Sequence, residues 1–142
     1  MGWLNRTTPR IRDIARTLIL FEGQRGQGGA SEFPATDRMR PQLMRLMGNG
    51  GVHALLSRAL VLATLEAPWL SNAAVNSDGD LGGLHDIGAE IDPEVFLEGR
   101  VILLAQLLGL LVTFIGPTLT WGLVHEIWPH IAPEDRDFGR EQ

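Results

Sequence analysis

The chain has 142 residues, with 17 acidic against 12 basic side chains and no cysteine. This length fits one domain whose core needs no metal, cofactor or disulfide for stability, and the missing cysteine excludes disulfides, thiolate metal sites and cysteine nucleophiles. The acidic balance, with arginines that are not interleaved with exposed aromatic side chains, argues against a nucleic-acid partner.

Charge is unevenly divided along the chain. Residues 1–60 hold nine arginines and four acids, a net charge of +5, whereas residues 61–142 hold three arginines and thirteen acids, a net charge of −10. The simplest interpretation is that the two halves pack together in one fold. Head-to-tail self-association, or a basic N-terminal face for an acidic partner, are the alternatives.

The first predicted helix runs from Pro9 to about Glu22, with Thr8 as its N-cap. Helical spacing predicts a core-facing side made of Ile11, Ile14, Ala15, Leu18 and Phe21 or Glu22. The basic side chains on its other faces are candidate partner contacts: Arg10, Arg12 and Arg16. The segment before this helix has no apolar stretch after a basic start, so we expect no secretory signal and a cytoplasmic location.

Residues 23–34, GQRGQGGASEFP, predict a flexible connector whose glycine spacing fits neither a phosphate loop nor a dinucleotide fingerprint. The second predicted helix begins near Asp37, tolerates Pro41 in its opening turns and stops at residues 48–51, GNGG. Its predicted core side consists of Met39, Leu43, Leu46 and Met47. Methionines at helical spacing usually fill a core but also suit an adaptable partner groove, which makes candidates of Met39 and Met44.

The third predicted helix, from Val52 to about Leu65, is apolar nearly all round and is expected at the centre of the fold. The glycine-containing connection that follows carries Asp78-Gly79, a pair typical of a small β-hairpin. Asn76, Asp78 and Asp80 match the first positions of a calcium loop, but the required later glycine and glutamate are absent. We therefore expect no calcium site.

The fourth predicted helix has the clearest start signal, with Asp92 as N-cap, proline at the first helical position and Glu94 next to the positive end of the dipole. Residues 101–124 carry no charge, a length that by composition could cross a bilayer. The pair Gly116-Pro117 is expected to end this helix and start a last one that stops before Pro129. The uninterrupted part is then shorter than a bilayer core, which favours a central helix of a soluble fold over a membrane-associated one.

The run AQLLGLLVTFIGPTLTWGLVHEIWP resembles small bacterial helical proteins with no assigned function; the resemblance covers about a quarter of the chain and supplies no catalytic residues. It implies a soluble helical fold. The whole chain is predicted to form one all-α domain at residues 1–129, a bundle of about five helices with a possible small β-hairpin between helices three and four. Residues 130–142 are predicted to form a mobile charged tail.

The segment GGLHDIG, residues 82–88, resembles the metal centre of the HD-domain phosphohydrolases, which are also all helical. The resemblance implies His53, His85 and Asp86 as ligands of divalent metals that activate water against a phosphoester. Two departures count against an enzyme. Glycines precede the His-Asp pair where the family has an apolar helix, and no aspartate follows in the last two helices to supply the final ligand.

These patterns predict a non-catalytic helical interaction or oligomerisation module, with another protein or a second copy of itself as partner and no cofactor. Trp128, near the end of the last helix, joins the candidate contacts because tryptophan is favoured at interfaces, although it also closes cores. The alternatives are a metal-dependent phosphohydrolase of the HD type and a membrane-associated helical protein.

Overall fold

The fold was analysed in a computed structural model that describes residues 9–25, 34–75, 81–82 and 90–129, without the side chains of 9–10, 23–25, 34–37 and 81. The elements in chain order are α1 (Pro9–Arg25), α2 (Pro34–Thr64), a 3-10 helix (Pro68–Asn72), β1 (Ala74–Val75), β2 (Leu81–Gly82) and α3 (Pro93–Ile127). The predicted all-α class is confirmed. Several predictions lie outside the described residues: the Thr8 cap, most of the connector, the Asp78-Gly79 turn, the His85-Asp86 pair and the tail at 130–142.

Helix α1 buries the side that its spacing predicts. Its core residues are Ile11, Ile14, Ala15, Leu18 and Ile19, and Glu22 is buried with them. The helix continues three residues past the predicted end at Glu22, a difference within the ordinary fraying of helix termini.

Helix α2 combines two predicted helices into one element with a break at Gly48. Gly48 has φ 76° and ψ 172°, a backbone region that in practice only glycine occupies. The helix is interrupted at this one residue and continues directly after it in another direction. The break divides α2 into residues 34–47, named α2a, and residues 49–64, named α2b. Helix α2a begins at Pro34, three residues before the predicted start near Asp37, so Pro41 is its eighth residue and lies inside the helix rather than in its opening turns.

Helix α3 begins as predicted, because the Asp92 side chain accepts a hydrogen bond of 2.9 Å from the backbone N–H of Glu94. It is broken at Gly116, which has φ 89° and ψ 159°. This non-helical conformation of Gly116 is also what Pro117 requires, because a proline disfavours the helical conformation at the residue before it. The break divides α3 into residues 93–115, named α3a, and residues 117–127, named α3b.

Between α2 and α3 the described residues form a 3-10 helix and a short strand pair but no α-helix. The 3-10 helix places Leu70 in the core, and β1 pairs with β2 in antiparallel register, Ala74 opposite Gly82 and Val75 opposite Leu81. Two residues per strand make this pair too short to form a layer of its own.

The centre of the molecule is α3a. All residues from Val101 to Leu111 are buried, on every side of the helix, by packing against α1, α2 and neighbouring segments. Among the described residues α3 is the one helix long and apolar enough to cross a membrane by length and composition, and 61% of its most apolar stretch is buried within the chain. The core helix of a soluble protein has the same properties.

Candidate functional site

Two of the three basic residues proposed for partner contact on α1 form ion pairs within the chain. Nη2 of Arg12 donates to both carboxylate oxygens of Glu66, at 2.7 and 2.6 Å, and Arg16 pairs with Glu98 at 2.8 Å. Both acids belong to the acidic half of the sequence, so at these positions the charge asymmetry joins the two halves within one molecule. The side chain of Arg10 lies outside the described residues.

The two methionine candidates and the tryptophan have different environments. Met39 and Trp128 are fully buried in the core of the chain, so neither is accessible to a partner in this structure. Met44 is 37% exposed on α2a. Of these candidates only Met44 can contact a partner without rearrangement.

Trp128 instead organises a buried polar cluster that joins three helices. Its indole Nε1 donates a hydrogen bond of 2.7 Å to Oε2 of Glu22, on α1. Arg38, on α2a, lies 3.5 Å from the same carboxylate oxygen and 5.9 Å from the Trp128 ring. Arg38 also donates to the carbonyl oxygen of Ile127 at 2.9 Å. The end of α3b is thereby held against α1 and α2a.

The two glycine breaks leave a cleft between α2a and α3b that other parts of the described chain do not fill. The cleft has a volume of about 330 Å³ and is open to solvent. Its lining comes from α2a, α3b and the adjoining end of α3a: Gln42, Arg45, Leu46, Ile115, Leu119, Gly122, Leu123 and Glu126. We refer to this feature as the α2–α3 cleft.

Large apolar side chains stand exposed in the α2–α3 cleft. Leu46 is 53% exposed and Leu119 is 62% exposed, whereas Leu123 is buried at the cleft and belongs to the core. Phe114 is also largely exposed and lies next in sequence to Ile115 of the lining. The prediction that Leu46 lies in the core is wrong, because the cleft separates Leu46 from the helix that would have covered it.

The polar side chains of the cleft carry one charge of each sign. Arg45, on α2a, donates a hydrogen bond of 2.6 Å to the Gln42 side chain. Glu126, on α3b, is exposed and forms no ion pair within the described part of the chain. An apolar floor with a cation on one wall and an anion on the other suits a partner that brings both signs.

The shape of α3b depends on its first turn. Gly116 exposes its carbonyl at the break, and the hydroxyl of Thr120 donates to it at 2.8 Å. Thr120 is buried, and this hydrogen bond ties the first turn of α3b to the backbone at the break.

The metal ligands implied by the HD-type resemblance are not brought together among the residues that can be described. His53 lies on α2b and is partly exposed, while His85 and Asp86 are outside the described ranges. Within those ranges no group of three or more histidine, aspartate or glutamate side chains is placed to hold a metal ion. The predicted ligand set thus remains a prediction.

Arg100 is a buried cation that the sequence did not single out. Its guanidinium lies 4.7 Å from the ring centroid of Phe96, which itself packs against Trp69 at 5.8 Å. Burial lowers the pKa of Arg100, because removing the charged form from water is unfavourable. The contact with the ring face partly compensates this cost, and we assign Arg100 a packing role.

Comparisons with protein families, with curated proteins and with solved structures found no match to this chain. A function for this chain is therefore inferred from the geometry of the α2–α3 cleft and from the charges that line it.

Proposed function

We propose that the chain is a non-catalytic helical interaction module that binds apolar side chains of a protein partner in the α2–α3 cleft. In this proposal the two glycine breaks divide three α-helices into five packed segments, and the unequal packing of α2a and α3b creates the docking site. The observation that carries the proposal is the pair of exposed leucines, Leu46 and Leu119, on opposite walls of one cleft. Exposed apolar side chains that line one cleft form a surface that apolar side chains of a partner can cover.

Leu46 and Leu119 are more than half exposed in the described structure, so a partner that covers them removes apolar surface from water. Fully burying a leucine is worth about 1.5–3 kcal/mol, so two half-exposed leucines with their apolar surroundings can supply the centre of a small interface. The charged walls then act as a rim that selects the orientation of the partner.

A test compares two matched substitutions, Leu119→Asp in the cleft and Val61→Asp outside its lining. Val61 is 61% exposed on α2b, almost the same as Leu119, so the two variants introduce the same charge at equal exposure. Leu119 lies in the first turn of α3b, where an aspartate is favourable to the helix, so the Leu119→Asp protein is expected to fold.

The readout is capture of bound protein from cells that express the tagged chain together with an untagged copy. We expect wild type and Val61→Asp to retain the same protein, whether a second copy or another chain, and Leu119→Asp to lose it. Equal retention by Leu119→Asp and wild type would refute the cleft as the docking site.

A membrane-associated role is the second candidate, and one observation favours it: the length and mean hydropathy of α3. Against it stands the burial of residues 101–111 of α3a on every side within the chain, because a helix in contact with lipid exposes an apolar surface. The candidate predicts that the protein sediments with membranes and is released by detergent but not by high salt. Recovery in the supernatant without detergent would eliminate it.

A further inference from the structure

The charges at the α2–α3 cleft are arranged so that one surface complements another copy of itself. Arg45 and Glu126 lie on opposite walls, on α2a and α3b, and the cleft between them is mostly apolar. In a two-fold dimer the same patch is used on both subunits, so residue i of one copy meets residue j of the other and the reverse. A surface that carries one cation and one anion meets this requirement, because the cation of each copy then faces the anion of the other.

We propose that the partner in the α2–α3 cleft is a second copy of this chain, bound about a two-fold axis so that Arg45 of each copy pairs with Glu126 of the other. The axis lies in the interface, at right angles to the line from Arg45 to Glu126, since that placement exchanges the two positions. Leu46 and Leu119 then become buried between the copies. This inference rests on the proposed function and adds the identity and orientation of the partner.

The free charges of the rim support a partner that brings both signs. In the described structure Arg45 contacts the uncharged Gln42, and Glu126 has no ion pair with another described residue. By contrast, Arg12 and Arg16 have carboxylate partners inside the chain. The dimer gives Arg45 and Glu126 the opposite charges that the described residues of a single copy do not provide.

The net charge of the chain opposes self-association. The relative orientation of the two copies is therefore set by the local charges of Arg45 and Glu126. Each copy carries −5 at pH 7, so two copies repel at long range, and contacts that pair opposite signs at the interface offset part of this repulsion in addition to the burial of the leucines. The two Arg45–Glu126 contacts of the dimer are equivalent by symmetry, so any substitution in the pair acts twice.

The test uses charge reversal and mixing on the full chain. In Arg45→Glu alone, and in Glu126→Arg alone, both contacts of the dimer become like-charged, and we expect self-association about tenfold weaker or more. When the two variants are mixed, both contacts again join opposite charges, so a heterodimer of near wild-type affinity should form. The double variant Arg45→Glu with Glu126→Arg should likewise associate as wild type does.

Sedimentation velocity on each variant and on the equimolar mixture gives the affinities, and native mass spectrometry identifies the heterodimer. Arg58→Glu is the matched control for Arg45→Glu, because Arg58 is exposed on α2b, outside the lining of the cleft, and its reversal changes the net charge by the same amount. It should associate as wild type does. Retained affinity in both single variants, or no rescue in the mixture, would overturn the two-fold arrangement.

The experiment separates this inference from the proposed function. If charge reversal has no effect but Leu119→Asp still abolishes capture of a partner, the cleft is a docking site and the second copy is not its two-fold occupant. A chain that associates only after removal of residues 130–142 would identify the tail as the occupant and would also overturn the inference. If Leu119→Asp changes nothing, the proposed function itself fails.

Discussion

At the scale of single residues, the buried hydrogen bond between Trp128 and Glu22 is the most specific contact in the described fold. It connects residues that are 106 positions apart, and Arg38 lies against both partners. A tryptophan near a helix end can serve an interface or close a core, and here it closes the core. The sequence could not decide between these roles, because the choice depends on a glutamate at the far end of the chain.

We predict a positive coupling energy between Trp128 and Glu22. In a double-mutant cycle of Trp128→Phe and Glu22→Leu, the second substitution should cost less once the first has been made, because the first change has already removed the hydrogen bond between the indole and the carboxylate. The expected coupling is about 1–3 kcal/mol in the free energy of unfolding, measured with urea. Additive effects would show that the hydrogen bond does not contribute to stability.

Gly99 provides a second prediction at the residue scale. A methyl group added there would lie 2.1 Å from Cζ2 of Trp69, so Gly99→Ala must displace the indole that covers this part of α3a. Overpacking of this kind costs about 1–3 kcal/mol. Urea unfolding followed by tryptophan fluorescence measures the loss, with Gly50→Ala as control, because a methyl group at Gly50 meets no atom within 4 Å. A Gly99→Ala protein as stable as wild type would contradict the close packing.

At the scale of elements, the positions of both breaks were readable from sequence, whereas their geometry was not. Gly116-Pro117 predicts an interruption because proline forces the preceding residue out of the helix, and GNGG at 48–51 predicts a stop because glycine favours left-handed conformations. The chain nevertheless continues as helix directly after each break, since packing on the core holds both sides. The glycine and proline residues identify where each helix is interrupted, and contacts with the rest of the fold decide the angle between the two helical segments.

The breaks give a prediction with matched controls. Gly48→Ala and Gly116→Ala place a side chain at φ 76° and φ 89°, where it is strained although the surrounding space is open, and each should destabilise the fold by about 1–3 kcal/mol. Gly50→Ala and Gly122→Ala also face open space but need no such conformation, so they should stabilise it by about 0.5–1 kcal/mol. Thermal unfolding of the four variants distinguishes the pairs. Equal effects would mean that the backbone at the breaks is not constrained to these angles.

The capped start of α3 and the exposure of Leu46 show where sequence reasoning succeeds and fails. The Asp92 cap depends on residues two positions apart, so the local pattern was sufficient. Leu46 has the spacing of a core residue, but burial also requires an opposing surface, and the opposing helix leaves the cleft open there. No local pattern reports such a gap between two segments that are about 70 positions apart.

At the scale of the whole molecule, the separated charges of the two halves pair with each other within the fold at two described positions. The pairs Arg12–Glu66 and Arg16–Glu98 use basic residues of the first half against acids of the second. Exposed pairs of this kind contribute little stability, on the order of 0–1 kcal/mol each, so their main effect is to orient α1 on the bundle. The charges at the α2–α3 cleft are different, because they flank exposed leucines.

The central claim is that the α2–α3 cleft is where this chain associates, and sedimentation equilibrium over a wide range of concentration tests it most directly. The account predicts that wild type and Val61→Asp form dimers with the same affinity. Leu119→Asp should remain a folded monomer, with an unchanged circular dichroism spectrum. A monomeric wild type, or a Leu119→Asp protein that dimerises as wild type does, would contradict the account.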